Sequence, residues 1–260
     1  MNAVFELDSL AFLSSLESES VDMVYTDPPF GTQKIQALNR QKNGEIVSKM
    51  SYADVHDDYL AFIVPSIIEM HRVLKSSGTM YLHLNSEWVH YVKIECDKIF
   101  GRENFLNEVI WSYDFGGRGK NKWPAKHDTI LVYTKCNGKH VFNWNEIDRL
   151  PYLANKINKN QTRDERGKVP TDVWWFSIVG TNSKERTGYP NQKPEKLIRR
   201  AIIASTNEDG LVIDPFAGSG ATAAAALSCN RRFAVSDINP RSIEVMRTRF
   251  LERSVTWNTK

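Results

Sequence analysis

Residues 211–237 read LVIDPFAGSGATAAAALSCNRRFAVSD, the stretch from which the architecture is most readily inferred. Leu211–Ile213 predicts a buried strand, the alanine-rich run that begins at Ala221 predicts a helix, and Arg232–Ser236 predicts another strand. The turn Asp214–Gly220 lies between the first strand and the helix, so its glycines can bring backbone N–H groups at the helix N-terminus close to a ligand. The stretch therefore predicts part of an α/β sheet with a nucleotide-type site at a strand end.

The acid at Asp237 favours a ribose-bearing ligand. It ends the second strand and lies 19 residues after Gly218, where dinucleotide-binding folds place the acid that binds ribose hydroxyls. The turn lacks the three-glycine dinucleotide pattern, and no Gly-Lys-Ser or Gly-Lys-Thr follows, so neither a nicotinamide cofactor nor a nucleoside triphosphate is predicted. Taken alone, the glycine turn would fit a structural connection equally well.

A second motif, Asp27-Pro28-Pro29-Phe30, follows a strand predicted at Val21–Thr26. Two consecutive prolines remove two N–H donors, so the turn offers only hydrogen-bond acceptors, the Asp27 carboxylate and nearby carbonyl oxygens. Such a turn suits an amino group that has to donate, and the Phe30 ring can stack on a planar group. The alternative is a proline turn whose Phe30 packs in the core.

Strands and helices alternate along most of the remaining chain, which predicts a mostly parallel sheet. Residues 139–190 are instead rich in Asn, Lys, Arg and aromatic residues with weak periodicity, and we expect a separate lobe or insertion there. The other predicted strands are Ala3–Glu6, Thr79–Leu84, Glu108–Tyr113 and Thr129–Thr134, and the other predicted helices are Ser9–Leu16, Asp57–Leu74, Trp88–Phe100 and Pro194–Ile203.

Composition indicates an ordinary globular protein. The 260 residues are 41% hydrophobic and 25% charged, which excludes collagen-like and disordered chains. The longest apolar run, residues 60–68, is interrupted by Pro65 and Ser66 and is shorter than the ~20 residues of a membrane-spanning helix. The N-terminus shows no secretory signal, and the three cysteines lie far apart, so we expect a cytoplasmic protein with no membrane partner.

Positive charge is concentrated in the middle of the chain. Residues 101–200 carry 19 Lys or Arg against 11 Asp or Glu, whereas residues 1–100 carry 8 against 14. A polyanion is the partner that this charge favours, and a solvated basic loop is the alternative. The basic loop, residues 116–126, reads GGRGKNKWPAK and contains Trp123 and four cations with no acid among them: Arg118, Lys120, Lys122 and Lys126.

The histidines and cysteines show no ligand spacing, so no metal is predicted.

Three motifs together resemble those of the amino-group DNA methyltransferases. Asp27–Phe30 resembles their catalytic motif, Asp214–Gly220 resembles their S-adenosylmethionine motif, and Tyr189–Pro194, reading YPNQKP, resembles the segment that lines the methionine end of the cofactor. Many members have Thr where Asn191 stands. The catalytic motif precedes the S-adenosylmethionine motif by nearly the whole chain. This motif order resembles that of the circularly permuted β class. Within that class the chain resembles adenine-specific enzymes of the MboII type, which accompany restriction endonucleases.

The resemblance implies a Rossmann-like S-adenosylmethionine-dependent methyltransferase fold, α/β, with a mostly parallel seven-stranded sheet and helices on both faces. Residues 1–138 and 191–260 would form the catalytic and cofactor-binding domain, and residues 139–190 the target-recognition region. The residues implied to be catalytic are Asp27, Pro28, Pro29 and Phe30, those implied to bind the cofactor are Asp8, Lys193, Asp214, Phe216, Ala217, Gly218, Ser219, Gly220 and Asp237, and those expected to bind DNA are Arg118, Lys120, Lys122 and Lys126.

Two residues keep a structural alternative. Asp8 matches the acid that contacts the adenine of the cofactor, but at a strand-to-helix junction it could equally be an N-cap. Trp111 lies in a segment, NEVIWSY at 107–113, that resembles one near the target base. It would line the base pocket or be a buried core residue.

The activity implied by the resemblance is methyl transfer from S-adenosylmethionine to N6 of a flipped-out adenine in double-stranded DNA. The enzyme would be a monomer or homodimer that protects host DNA in a restriction–modification system. A carboxylate at the first motif position favours adenine N6, because cytosine-N4 enzymes usually have Ser there. The alternatives are a cytosine-N4 methyltransferase, an RNA or protein amine methyltransferase, and a non-catalytic nucleic-acid-binding module.

Overall fold

The computed structural model describes residues 2–30, 34–42, 45–54, 58–116, 119–152 and 162–259. Eleven strands, six α-helices and one short 3-10 helix (Arg102–Asn104) lie in these ranges. The strands are β1 (Ala3–Phe5), β2 (Val21–Thr26), β3 (Lys34–Lys42), β4 (Glu45–Asp54), β5 (Leu74–Leu84), β6 (Phe105–Ser112), β7 (His127–Thr134), β8 (Val173–Trp175), β9 (Leu211–Asp214), β10 (Arg232–Ser236) and β11 (Thr256–Asn258). The helices are α1 (Ser9–Ser14), α2 (Tyr59–Val73), α3 (Val89–Phe100), α4 (Glu195–Ser205), α5 (Ala221–Ser228) and α6 (Pro240–Arg249).

The main sheet has nine strands among the described residues, in the order β11-β1-β10-β9-β2-β5-β7-β6-β8. Only β7 runs antiparallel to its neighbours there, so the sheet is mostly parallel, as the alternation of strands and helices predicts. Seven strands were expected, and the two additional ones are the three-residue edge strands β8 and β11. The hairpin of β3 and β4 forms a separate two-stranded sheet that the sequence patterns did not predict.

Helices cover both faces of the sheet, because the apolar residues of its central strands alternate. Along β2, Met23 and Tyr25 belong to one buried cluster and Val21 and Val24 to another. The first cluster contains residues of α4, α5 and α6, and the second contains residues of α1, α2 and α3. No helix in the described ranges is long and apolar enough to cross a membrane.

The pairing of β2 with β9 brings the two motifs of the sequence together. Met23 pairs with Val212 and Val24 with Ile213, in parallel register. Both strands therefore end at the same edge of the sheet, where Asp27 follows β2 and the glycine turn follows β9. In open α/β sheets, ligands bind outside the carboxyl ends of the strands, so this edge is where a site is expected.

The segment 139–190 is partly joined to the main sheet. Its strand β8 pairs with β6, and the Asn143 backbone N–H donates to the Ala204 carbonyl at the end of α4 over 2.7 Å. The Arg200 guanidinium on α4 donates to Asp148 Oδ1 over 2.8 Å. The role of this segment in target recognition stays a prediction.

Candidate active site

A cavity of about 530 Å³ opens at the carboxyl ends of β1, β2, β9 and β10. Most of its lining residues come from the turns after these four strands and from the segment Tyr189–Lys193, and α2, α4 and α5 contribute to the rest of the wall together with Tyr25 of β2. Of the predicted site residues, those that line it are Asp8, Asp27, Pro29, Lys193, Asp214, Phe216, Ala217, Gly218, Ser219 and Asp237. The fold thus brings together side chains from both ends of the chain.

The glycine turn is held in a conformation that only glycine adopts readily. Gly218 has φ 50° and Gly220 has φ 73°, both in the left-handed region. A Cβ atom on Gly220 would lie 2.7 Å from Met246 Cγ of α6, so a side chain there would clash with the Met246 side chain. The Gly220 N–H donates to the Ala217 carbonyl over 2.8 Å, which closes the turn before α5. Gly220 therefore shapes the turn without lining the cavity.

Asp214 ties the glycine turn to the neighbouring strand. Its Oδ1 accepts from the Thr26 hydroxyl over 2.9 Å and from the Phe216 N–H over 3.0 Å, and its Oδ2 accepts from the Thr222 hydroxyl over 2.7 Å. Burial raises the pKa of Asp214 to about 7, against the lowering effect of these three donors. These bonds tie Asp214 to β2, to the turn and to α5, and they leave one lone pair of Oδ2 unused, so the direct cofactor contact expected from the sequence stays a prediction.

Asp237 joins β10 to the same turn. Its Oδ2 accepts the Gly218 N–H over 2.7 Å and its Oδ1 accepts the Asn239 N–H over 2.8 Å. Burial raises the pKa of Asp237 in spite of these bonds. Each carboxylate oxygen has two lone pairs, so Asp237 can still accept ribose hydroxyls from the cavity.

Asp8 is the N-cap of α1. Its Oδ1 accepts the Leu10 and Ala11 N–H groups, each over 3.0 Å. The residue also lines the cavity, so capping the helix does not remove it from the site. Contact with an adenine ring stays a prediction.

Asp27 lies at the end of β2 with its two oxygens in different situations. Oδ2 accepts from the Lys193 ammonium over 2.6 Å. Oδ1 is buried and has no hydrogen-bond partner among the described residues. Pro28 is buried, and Pro29 lines the cavity. A buried acceptor without a donor is rare in folded proteins and indicates a position that a ligand can fill.

The Phe30 ring is half-buried beside Asp27. Its centroid lies 5.2 Å from Lys193 Nζ and 6.1 Å from the His83 ring. His83 is fully buried on β5 and its Nε2 lies 3.1 Å from Asp128 Oδ2 at the start of β7. Burial raises the pKa of Asp128, but His83 and the nearby Lys193 charge outweigh it and lower the pKa below its ordinary value.

His83 and Asp128 were not among the residues predicted from the sequence. No local pattern marks them, because the antiparallel pairing of β5 with β7 brings them together. Trp111 packs against His83 in the core. It is 3% exposed, its ring lies 5.5 Å from that of His83, and its indole N–H donates to the Phe176 carbonyl over 2.8 Å. Of the two alternatives given for Trp111, these contacts favour a buried core residue.

The segment that precedes α4 closes the cavity. Gln192 Oε1 accepts from the Thr187 N–H and hydroxyl, each over 2.8 Å, and its amide donates to the Glu185 carbonyl over 2.7 Å. Asn191 has φ 54°, a left-handed conformation that Asn adopts more readily than a β-branched residue. These contacts fix the backbone conformation of the residues immediately before Lys193.

The basic loop joins β6 to β7. Because β6 ends and β7 begins at the carboxyl edge of the parallel strands, the loop lies on the same edge of the sheet as Asp27. Lys120 and Lys122 are exposed, whereas Lys126 donates to the Gly116 carbonyl over 3.1 Å and lies 3.9 Å from Asp114 Oδ1, an acid just before residues 116–126. Arg118 lies outside the described residues. Within the described ranges no group of side chains could hold a metal ion.

A mostly parallel sheet with one reversed strand, and a glycine turn over a cavity beside an Asp-Pro-Pro-Phe turn, together define the Rossmann-like methyltransferase class. Residues 21–248 match the DNA methylase family N6_N4_Mtase, and the chain belongs to that family.

Two curated relatives illustrate the similarity. The chain is 32% identical over 246 residues to the DNA adenine methyltransferase YhdJ of Escherichia coli (strain K12). The alignment covers 92% of this chain and 79% of that protein. It is 27% identical over 259 residues to the type II methyltransferase M1.MboII of Moraxella bovis, with 92% of each chain covered. The resemblance to the MboII type is thereby confirmed.

A solved structure supports the fold independently. The cytosine-N4-specific PvuII DNA methyltransferase aligns with a TM-score of 0.71 at 18% sequence identity, over 96% of this chain and 86% of that chain. At this identity the likeness concerns the fold.

Proposed function

We propose that this DNA methylase transfers a methyl group from S-adenosylmethionine to N6 of an adenine that is flipped out of double-stranded DNA. The observation that carries the proposal is the buried Asp27 Oδ1, which lies at the cavity shared with the glycine turn and has no donor in the described part of the chain. An acceptor with no donor suits an amine that must lose its hydrogen bonds to the opposite base. The DNA adenine methyltransferase YhdJ supports the choice of adenine.

The cavity fits the cofactor by size and by chemistry. About 530 Å³ lies within the range of ordinary small-molecule sites. Asp237 would accept the ribose hydroxyls, Asp8 would contact the adenine, and the turn from Phe216 to Ser219 would hold the remainder. When bound, S-adenosylmethionine supplies an electrophilic methyl group. The assigned residues of this chain orient it and exclude water.

The Asp27 turn prepares the target amine for attack. The N6 amine of adenine is a poor nucleophile, because its lone pair is delocalised into the ring. If Asp27 Oδ1 and the Pro28 carbonyl accept its two N–H bonds, the nitrogen becomes more tetrahedral and its lone pair points at the methyl group. Catalysis then comes from positioning and from electrostatic stabilisation of the positive charge that develops on the amine. As the new nitrogen–carbon bond forms and the methyl–sulfur bond breaks, the nitrogen would release one proton, which Asp27 Oδ1 is placed to accept.

The base must leave the duplex to reach Asp27, and the Phe30 ring is placed to stack on it. The basic loop at the same edge, with Lys120, Lys122, Lys126 and also Arg118, would contact the phosphates of the flanking duplex. Residues 139–190 would read the recognition sequence. Protection of host DNA against a restriction endonuclease is the role that the similarity to M1.MboII supports. We propose in addition that the enzyme acts in the cytoplasm, as a monomer or homodimer.

Two substitutions at opposite ends of the cavity test the proposal. Asp27→Ala should lower methyl transfer to DNA at least about 100-fold, the usual effect of removing one positioned electrostatic group, while cofactor affinity stays nearly unchanged. Asp237→Asn should weaken cofactor binding by about 1–3 kcal/mol. Radiolabelled transfer and calorimetry measure the two effects. Near-normal turnover of Asp27→Ala would contradict the assignment.

A further inference from the structure

The Lys193–Asp27 ion pair joins two motifs that lie 166 residues apart in the chain. Lys193 is only 8% exposed, and its Nζ lies 2.6 Å from Asp27 Oδ2. A buried ammonium is costly to desolvate and is retained where a partner and good geometry compensate it. This pair therefore fixes the orientation of the Asp27 carboxylate before any ligand arrives.

In this ion pair the two oxygens of the Asp27 carboxylate have different roles. Oδ2 is held by Lys193, and Oδ1 is buried with no donor among the described residues. Rotation of the carboxylate would break the short Lys193 bond, so the pair keeps Oδ1 in one place. That oxygen is the acceptor proposed for the target amine.

Lys193 also contacts the proposed base platform. Its Nζ lies 5.2 Å from the centroid of the Phe30 ring, within the ~6 Å range of cation–π attraction. One ammonium thus holds the first and the last residue of the Asp-Pro-Pro-Phe turn. The backbone at Lys193 is itself fixed on both sides. The preceding residue, Gln192, is hydrogen-bonded through both the oxygen and the nitrogen of its side-chain amide, and α4 begins at Glu195.

We propose that Lys193 is a positioning residue for the target base, acting through Asp27 Oδ2 and the face of Phe30. This inference rests on the proposed function and replaces the cofactor contact expected from the sequence. A cofactor contact at Lys193 would require the ammonium to serve the methionine end of the ligand, whereas its 2.6 Å bond is to the carboxylate of the base site.

Positioning of Asp27 and direct contact with the cofactor predict different effects of Lys193 variants on cofactor affinity and on the rate of methyl transfer. If Lys193 positions Asp27, Lys193→Met should lower the single-turnover rate at saturating cofactor and DNA about 10- to 100-fold, less than the loss of at least ~100-fold expected for Asp27→Ala, because Asp27 itself remains. The dissociation constant of S-adenosylmethionine, measured by calorimetry, should change less than about twofold. Lys193→Gln keeps an N–H donor for Asp27 without the charge, so it should lose less activity than Lys193→Met. Lys196→Met, an exposed lysine on the first turn of α4, is the matched control and should behave as wild type.

A double-mutant cycle tests whether Lys193 acts through Asp27. Adding Lys193→Met to Asp27→Asn should cost clearly less than Lys193→Met costs in the wild type, because residues that act through one another are not additive and only the contribution through Phe30 then remains. Independent, multiplicative losses would contradict the proposal. So would a cofactor dissociation constant that rises tenfold while the saturated rate is unchanged, or wild-type rates in both Lys193 variants.

The same reactions distinguish a failure of this inference from a failure of the proposed function. The wild-type product shows whether DNA is methylated and on which base, and the ratio of variant to wild-type rate tests Lys193 whichever base is labelled. If wild type labels no DNA, the proposed function fails. Unchanged cofactor affinity in Lys193→Met then still argues against the cofactor contact.

Discussion

The Thr26 hydroxyl donates to Asp214 Oδ1 over 2.9 Å, across 188 residues of sequence. Thr26 is the last residue of β2, immediately before Asp27, and Asp214 is the last residue of β9, immediately before the glycine turn. This bond therefore sets the separation between the proposed amine acceptor and the proposed cofactor turn.

Thr26→Val should disturb both halves of the site at once. Valine has nearly the shape of threonine but cannot donate, so the buried Asp214 loses one of its three bonds, at a cost of about 1–3 kcal/mol of folding stability. The rate of methyl transfer should fall with it. Denaturant unfolding and single-turnover assays measure the two effects, with Thr181→Val, at an exposed threonine, as the control. A fully active and fully stable Thr26→Val would show that the bond is dispensable.

Stability should depend on pH through Asp214. Burial raises its folded-state pKa to about 7, so between pH ~4 and ~7 the folded protein binds a proton that the unfolded chain has released. The contribution of Asp214 to the free energy of unfolding should therefore fall as pH rises through this window, by at most about 4 kcal/mol at ~1.4 kcal/mol per pKa unit. Asp214→Asn should reduce the slope, and the raised pKa of Asp237 should contribute a slope of the same sign. Asp209→Asn, at an exposed acid, should keep the wild-type slope.

Substitutions of Phe30 test base stacking separately from cofactor chemistry. Phe30→Trp keeps a flat aromatic face and should retain much of the activity, whereas Phe30→Ala should lose about 10- to 100-fold in catalytic efficiency, since stacking is worth ~1–3 kcal/mol. If Phe30 were a core residue, Trp would be harmful through overpacking. Phe142→Ala, an exposed aromatic outside the cavity, is the control. Once the methylated sequence is known, 2-aminopurine at the target position reports flipping by fluorescence, and an identical response in wild type and Phe30→Ala would exclude Phe30 from the base pocket.

Neutralising the basic loop should weaken binding to all DNA sequences alike. For Lys120, Lys122 and Lys126 changed together to Gln, the slope of log affinity against log salt should decrease by ~0.9 for each phosphate that the loop no longer neutralises. Lys98, Arg102 and Lys139 are exposed cations outside the basic loop, near the opposite edge of the sheet, and their change to Gln is the matched control. Equal slopes for loop variant and wild type would mean that the loop is only solvated.

Local patterns predicted the strands and helices well where periodicity was strong. Val21–Thr26 and Arg232–Ser236 are strands with the predicted bounds, and the helix expected at Asp57–Leu74 is α2, Tyr59–Val73. The hairpin of β3 and β4 was missed, as were α6 and the short strands β8 and β11. A three-residue strand has too few positions for a period, and its formation depends on the neighbour with which it pairs.

The motifs likewise located the cavity but not the contacts inside it. Sequence placed Asp27, Lys193, Asp214 and Asp237 at one site because the motifs are specific. It could not show that Lys193 binds Asp27, that Thr26 and Thr222 bind Asp214, or that His83 and Asp128 lie behind Phe30. Each of these contacts joins distant segments, so its geometry exists only after the sheet has formed.

The identity of the methylated nucleoside tests the central claim most directly. Unmethylated DNA is incubated with the wild-type protein and methyl-labelled S-adenosylmethionine, digested to nucleosides and separated by chromatography with mass detection. We expect the label in N6-methyldeoxyadenosine, with at least ~100-fold less labelled nucleoside from the Asp27→Ala reaction in the same time. Label in N4-methyldeoxycytidine, or no label in DNA with the wild-type protein, would contradict the account.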